Sequence, residues 1–67
     1  MEIVVNGAPV DVPEGLTLEE LLVRLEIRRD HTAVALNREI ARRAAYGRTV
    51  LREGDHLEIV HPMAGGR

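Results

Sequence analysis

A single stretch of this chain carries a helical repeat, and that sets the limits on its fold. Leu18, Leu21, Leu22 and Leu25 fall at i, i+3, i+4 and i+7, one apolar stripe. Glu19, Glu20, Arg24 and Glu26 take the other side. Thr17 stands where an N-cap belongs, and Glu20 three residues on completes a capping-box pattern. Arg28 and Arg29 are expected at the helix C-terminal end, where positive charge suits the dipole. A lone striped helix must bury its leucines against a second layer, and the rest of the chain reads as strands.

Ile3, Val4 and Val5 favour a first strand. Asn6-Gly7 follows at once, a strong hairpin signal because both residues accept positive φ. The return strand runs from Ala8 to Val12, and Pro13-Glu14-Gly15 breaks it. After the helix, residues 32–36 are short and nearly all apolar, which reads as a strand buried on both faces. Asn37-Arg38 turns it, and residues 39–41 pair back. Residues 44–47 suggest a turn or 3₁₀ segment, and residues 49–51 an extended one. Glu53-Gly54-Asp55 is a turn by composition. His56 to Val60 forms the last strand, Leu57 and Ile59 alternating against His56 and Glu58, and Pro62 ends it. The reading is an α+β fold: a mixed sheet of four to five strands packed on one main helix, the first and last strands central. Residues 1–62 form the domain and residues 63–67 a flexible tail.

At 67 residues the chain makes one small domain, without cysteine for disulfides or thiolate metal sites. Its longest apolar runs span three or four residues, too short for a membrane span. No basic segment leads into an apolar one at the N-terminus, so a cytoplasmic location is expected by default. A net charge of −2 argues against an electrostatic nucleic-acid binder, despite Arg28-Arg29 and Arg42-Arg43. His31, His56 and His61 lack the spacing of a zinc site and read as surface histidines. No glycine-rich loop opens a helix to cradle phosphate. A two-substrate catalytic cleft is hard to build from so few residues, so a non-enzymatic carrier or interaction module is expected. All nine basic residues are arginine. Compositional bias explains that. It also means that an activated acyl group on this chain would find only the N-terminal amine as a self-target.

The C-terminal Gly65-Gly66 is the exception to this bland chemistry. It reads either as a frayed end or as a thin arm. A carboxylate attacked inside another protein's active site must be delivered through a narrow channel, and glycine has no side chain to clash there. Five residues reach at most about 17 Å.

Asn6-Gly7, the capped segment from Thr17 to Leu22, Val34-Ala35-Leu36-Asn37, and the run from Glu53 to Val60 leading to Ala64-Gly65-Gly66 together resemble the ThiS family. These are sulfur carriers of thiamine biosynthesis with the β-grasp, ubiquitin-like fold. The resemblance covers the chain through Gly66. It implies that the Gly66 carboxylate is adenylated, with ATP, by a ubiquitin-activating-type adenylyltransferase. It implies that a cysteine desulfurase or rhodanese persulfide converts it to a thiocarboxylate, and that thiazole synthase takes the sulfur. Gly65 and Ala64 would thread the partner's channel. No cofactor would be bound to the carrier itself.

Three features depart from the family pattern. Arg67 follows the second glycine, Arg38 stands where a glycine often follows the turn asparagine, and Arg42 and Tyr46 replace a frequent proline and tryptophan. A chain ending at Arg67 presents the wrong carboxylate and a bulky charged side chain, so either trimming by a peptidase or no activity as it stands is expected. The sister carriers of molybdopterin synthesis (MoaD type) and tRNA thiolation share the tail chemistry. A β-grasp interaction module without sulfur chemistry, or a tag joined to target lysines, are the other readings. Partner docking is expected on the sheet face and tail base, at Leu57, Ile59 and Pro62.

Overall fold

A computed structural model of the chain describes residues 1–60. Strand β1, Glu2–Val5, turns through Asn6 and Gly7 into β2, Ala8–Asp11. Both turn residues have positive φ, 51° and 82°, so the two-residue turn twists with the strands it joins. Val5 therefore faces Ala8, and Glu2 faces Asp11.

Helix α1, Leu18–Arg24, starts as the sequence suggests. The Thr17 hydroxyl accepts from the Glu20 N–H at 3.2 Å, and the Glu20 carboxylate accepts from the Thr17 N–H at 2.9 Å. Leu18, Leu21 and Leu22 are buried, each worth roughly 1.5–3 kcal/mol against exposure. The helix ends earlier than the arginine pair implies. Glu26 turns left-handed (φ 58°), its N–H reaching the Val23 carbonyl at 3.0 Å while the Ile27 N–H reaches Leu22 at 2.9 Å. These paired bonds form a Schellman cap, and Ile27 closes it by packing on the core. Arg28 and Arg29 thus lie beyond the helix, Arg29 opening a 3₁₀ turn, Arg29–His31. The basic residue of the last helical turn is Arg24.

Strand β3, Ala33–Leu36, turns through Asn37 and Arg38 into β4, Glu39–Ile40. Both turn residues again have positive φ, 51° and 73°. The expectation that β3 is buried on both faces is corrected. Val34 is fully buried, but Ala33 is exposed, because the helix layer covers one face of the sheet and leaves the other open. A 3₁₀ helix, Arg43–Arg48, packs on α1 and buries Tyr46. The extended residues after it pair with the approach to α1. Leu18 N–H donates to the Thr49 carbonyl at 2.8 Å, and Leu51 N–H to Leu16 at 2.9 Å.

Strand β5, His56–Val60, completes a five-stranded sheet in the order β2-β1-β5-β3-β4. The first and last strands lie side by side and parallel at its centre, and the other pairs are antiparallel. Ile3, Val5, Val34, Leu57 and Ile59 meet the helix leucines in one cluster, closed at its ends by Val12, Leu16, Tyr46 and Leu51.

Candidate functional site

The site expected from the sequence is the C-terminal segment and the surface at its base. Pro62, Ala64, Gly65 and Gly66 lie outside the described residues, as does the expected boundary between residues 62 and 63. The structure does describe the strand from which this segment issues.

Alternation along β5 is strict, and it overturns part of the expected docking surface. Leu57 and Ile59 are 1% and 5% exposed and belong to the core. They point toward α1 because the hydrophobic face of the sheet must meet the helix leucines, so neither can touch a partner. The opposite face of β5 carries His56, Glu58 and Val60, all exposed. Register places Val60 beside Ala33, and Glu58 beside Ala35. Ile40 pairs with Ala35 from the other side. Val60 and Ile40 are 58% and 75% exposed, so the outer face around the end of β5 is an open surface of small and branched apolar side chains around Glu58.

The ends of β5 are held by two asparagine side chains whose structural role goes beyond the turns expected of them. At the far end, the Asn37 carboxamide oxygen accepts from the His56 N–H at 2.9 Å, and its NH₂ donates to Asp55 Oδ1 at 3.1 Å. Asp55 Oδ2 in turn accepts from the Arg52 N–H at 2.8 Å, which fixes the turn before β5. At the tail end, Asn6 Oδ1 accepts from the Ile59 N–H at 2.8 Å while Asn6 Nδ2 donates to the Ile59 carbonyl at 3.2 Å. The Asn6 backbone N–H also donates to the Leu57 carbonyl at 2.9 Å. Each asparagine takes the left-handed conformation that starts a tight turn and spends its carboxamide on β5. The sequence signal was there. Asparagine is the residue that combines tolerance of positive φ with a strand-like donor and acceptor, and both asparagines directly follow strands flanking β5.

Two of the family departures fit this frame. Arg42 precedes the 3₁₀ helix with φ −81°, close to the angle a proline ring imposes. Tyr46 is 1% exposed and fills the core. His31 and His56 are exposed, and among the described residues no three histidine or acidic side chains converge on a point that could hold a metal. An open groove of about 530 Å³ lies on the helix side, between Leu16, Val23, Arg24 and Gly47. Of its glutamates, Glu20 already caps α1, and Glu19 lies beside Gly47. No described helix is long and apolar enough to cross a membrane.

Against known proteins, the family model described as "ThiS family" matches residues 2–66, Gly65 and Gly66 included. The chain belongs to the ThiS family. The sulfur carrier protein ThiS of Escherichia coli K12 is 30% identical over 66 residues, covering 98% of this chain and all of that one. A thiazole synthase of Magnetococcus marinus is 40% identical over 67 residues, and one of Paramagnetospirillum magneticum 35% over 66. The chain spans about a fifth of the length of these two relatives, 21% and 20%. The crystal structure of the thiamine biosynthesis protein ThiS from Geobacter metallireducens superposes with a TM-score of 0.86 at 36% identity, over 98% of this chain and all of that one. A solution structure of a thiamine biosynthesis protein from the same organism gives 0.82 at 37%, over this whole chain and 90% of that one. The fold is the ThiS β-grasp: five strands in a mixed sheet on one helix.

Proposed function

We propose that this ThiS-family chain is a sulfur carrier of thiamine biosynthesis and that its working group is the carboxylate of Gly66. The observation that carries this reading is a family match over residues 2–66, a range that takes in Gly65 and Gly66. A carrier needs only a recognisable body and a deliverable carboxylate, while its partners do the chemistry.

The chemistry follows from the poor reactivity of a carboxylate. A Gly66 carboxylate oxygen attacks the α-phosphorus of ATP on a ubiquitin-activating-type adenylyltransferase. Pyrophosphate leaves, and the acyl adenylate now carries AMP as a leaving group. A persulfide sulfur from a cysteine desulfurase or rhodanese displaces AMP. A second thiol then reduces the resulting acyl disulfide, leaving the thiocarboxylate on the carrier. Thiazole synthase is the acceptor of that sulfur. The relatives named thiazole synthase support this choice over molybdopterin synthesis or tRNA thiolation, because they join a segment like this chain to that enzyme. Both the partners and a cytoplasmic location remain part of the proposal. Docking uses the outer sheet face at Val60, Ala33, Ala35 and Ile40, together with Pro62. Arg67 is removed before activation, since its side chain and its own carboxylate would occupy the place of Gly66.

The test is to incubate the chain ending at Gly66 with ATP, the adenylyltransferase and a persulfide donor, then measure intact mass. Replacement of one oxygen by one sulfur is expected. An unchanged mass, beside a carrier that is modified under the same conditions, ends the proposal. The full chain run in parallel should stay unmodified until a carboxypeptidase removes Arg67.

A further inference from the structure

We propose that Asn6 is a positioning residue for the reaction at Gly66, fixing the point and direction from which the C-terminal segment leaves the fold. The inference rests on the carrier reading and adds a residue to it.

β1 and β5 run parallel and pair only at Val4 with His56 and Val5 with Leu57. The last backbone bond from β1 is Asn6 N–H to the Leu57 carbonyl at 2.9 Å. Past that point β1 has already turned into its hairpin, so the N–H and carbonyl of Ile59 face a strand that is no longer there. The Asn6 carboxamide fills the gap with one acceptor and one donor, at 2.8 and 3.2 Å. Among the described residues, this side chain is what holds β5 from the β1 side beyond Leu57. On the other side the pairing of Val60 with Ala33 continues to the strand's end. With Asn6 in place, Ile59 is held from the β1 side and Val60 from the β3 side, and Val60 lies on the outer face where docking is proposed.

Gly66 lies six residues beyond Val60, a reach of at most about 20 Å. A partner that grips the body by its outer face and the terminus in its nucleotide site fixes both ends of that span. If Ile59 and Val60 peel from the β1 side, the start of the span shifts on the scale of a strand residue, about 3.3 Å. Displacements of about 1 Å at a reacting atom cost up to about a hundredfold in rate. The Asn6 clamp therefore acts on the rate of adenylation more than on recognition of the body.

Asn6→Gly is the clean perturbation, because glycine keeps the positive φ of the turn (51° at Asn6) and removes only the carboxamide. Asn37→Gly is its matched control. It sits in the equivalent turn with the same φ of 51°, and its side chain bonds His56 at the opposite end of β5. Both variants should lower the melting temperature by similar amounts. Adenylation is followed by ATP–pyrophosphate exchange on the organism's own adenylyltransferase, well below either melting point, with wild-type and variant chains ending at Gly66. For Asn6→Gly, kcat should fall about tenfold or more with KM within about twofold, while Asn37→Gly keeps the wild-type kcat. Equal kcat losses in the two variants, an unchanged kcat in Asn6→Gly, or a loss confined to KM would each overturn the proposal. If the wild-type chain ending at Gly66 supports no exchange, the carrier reading falls, and this inference with it. If only the Asn6 contrast is missing, the carrier reading stands.

Discussion

Leu57 and Val60 lie three residues apart on one strand, yet they should respond to truncation in opposite ways. Leu57 is 1% exposed and paired with Val5 on one side and Leu36 on the other, under the helix leucines. Leu57→Ala removes three carbons from the middle of the core. At about 0.8 kcal/mol per buried methylene the transfer loss is about 2.4 kcal/mol, and the residual cavity raises it to about 3. A chain of 67 residues has a total stability on the order of 3–10 kcal/mol, so this one change removes a large share of it. The melting temperature should drop by roughly 12–24 °C, taking about 4–8 °C per kcal/mol for a domain of this size. Val60, 58% exposed, should lose under about 0.5 kcal/mol on truncation to alanine. Urea unfolding followed by far-UV circular dichroism at 25 °C measures both, and the fluorescence of the buried Tyr46 gives a second probe. In the adenylation assay the order reverses. Val60→Ala should raise KM by up to about tenfold if a partner covers it fully, whereas Leu57→Ala, measured below its melting point, should leave KM near wild type. A Leu57→Ala loss below about 1 kcal/mol, or a Val60→Ala loss above about 1.5, would refute the placement of these side chains on opposite faces.

Three further outcomes follow from particular residues. Glu26 and Arg38 adopt positive φ (58° and 73°) without being glycine, so Glu26→Gly and Arg38→Gly should each raise stability by about 0.5–1 kcal/mol in urea melts. That gain is the left-handed penalty less the entropy glycine adds to the unfolded chain. Thr17→Ala removes the acceptor that caps the Glu20 N–H and should cost about 1 kcal/mol by the same measurement. Deleting Gly65 and Gly66 should abolish sulfur loading, read by intact mass, yet leave the thermal melt unchanged, because every buried residue among those described lies at or before Ile59.

Much of this fold was legible because its local signals were strong and agreed with one another. Asn6-Gly7 dictated its hairpin through backbone angles alone, and Thr17 with Glu20 announced the helix start through two hydrogen bonds that need no tertiary context. The misreadings share another cause. Arg28 and Arg29 looked like a helix terminus because charge suits the dipole, but the stop is set by Glu26 entering a conformation that glycine would advertise and glutamate conceals. Residues 32–36 looked doubly buried because alanine is apolar in any scale, although its small side chain is equally at home on an open face. Leu57 and Ile59 could be seen to share a face, but which face met the helix depends on the sheet order, a non-local fact. The Asn6 and Asn37 contacts were hidden for the same reason. A turn asparagine is visible in the sequence, and the strand its carboxamide reaches, 53 and 19 residues away, is not.

The order β2-β1-β5-β3-β4 also says why such a small body suits a chain whose chemistry is expected at its C-terminus. A terminus issuing from an edge strand would hang from one ladder, and pulling on it would unzip hydrogen bonds one at a time. Here the last strand is central, so its backbone is bonded on both sides, and the side chains of Asn6 and Asn37 add bonds at each end. Stripping it exposes Leu57 and Ile59 together with their partners Val5, Leu36 and Val34, so release of β5 amounts to losing the core. Resistance to unfolding from the C-terminus is therefore close to the stability of the whole domain. A partner can grip the terminal segment tightly, bind it, modify it and let it go without drawing residues out of the sheet. Hydrogen exchange gives the check: the amides of Leu57 and Ile59 should open only with global unfolding, and should remain so while the terminal segment is held by the adenylyltransferase. Sub-global exchange at Ile59, faster than at Val34 on the neighbouring strand, would mean that the terminus is tethered more loosely than this topology demands.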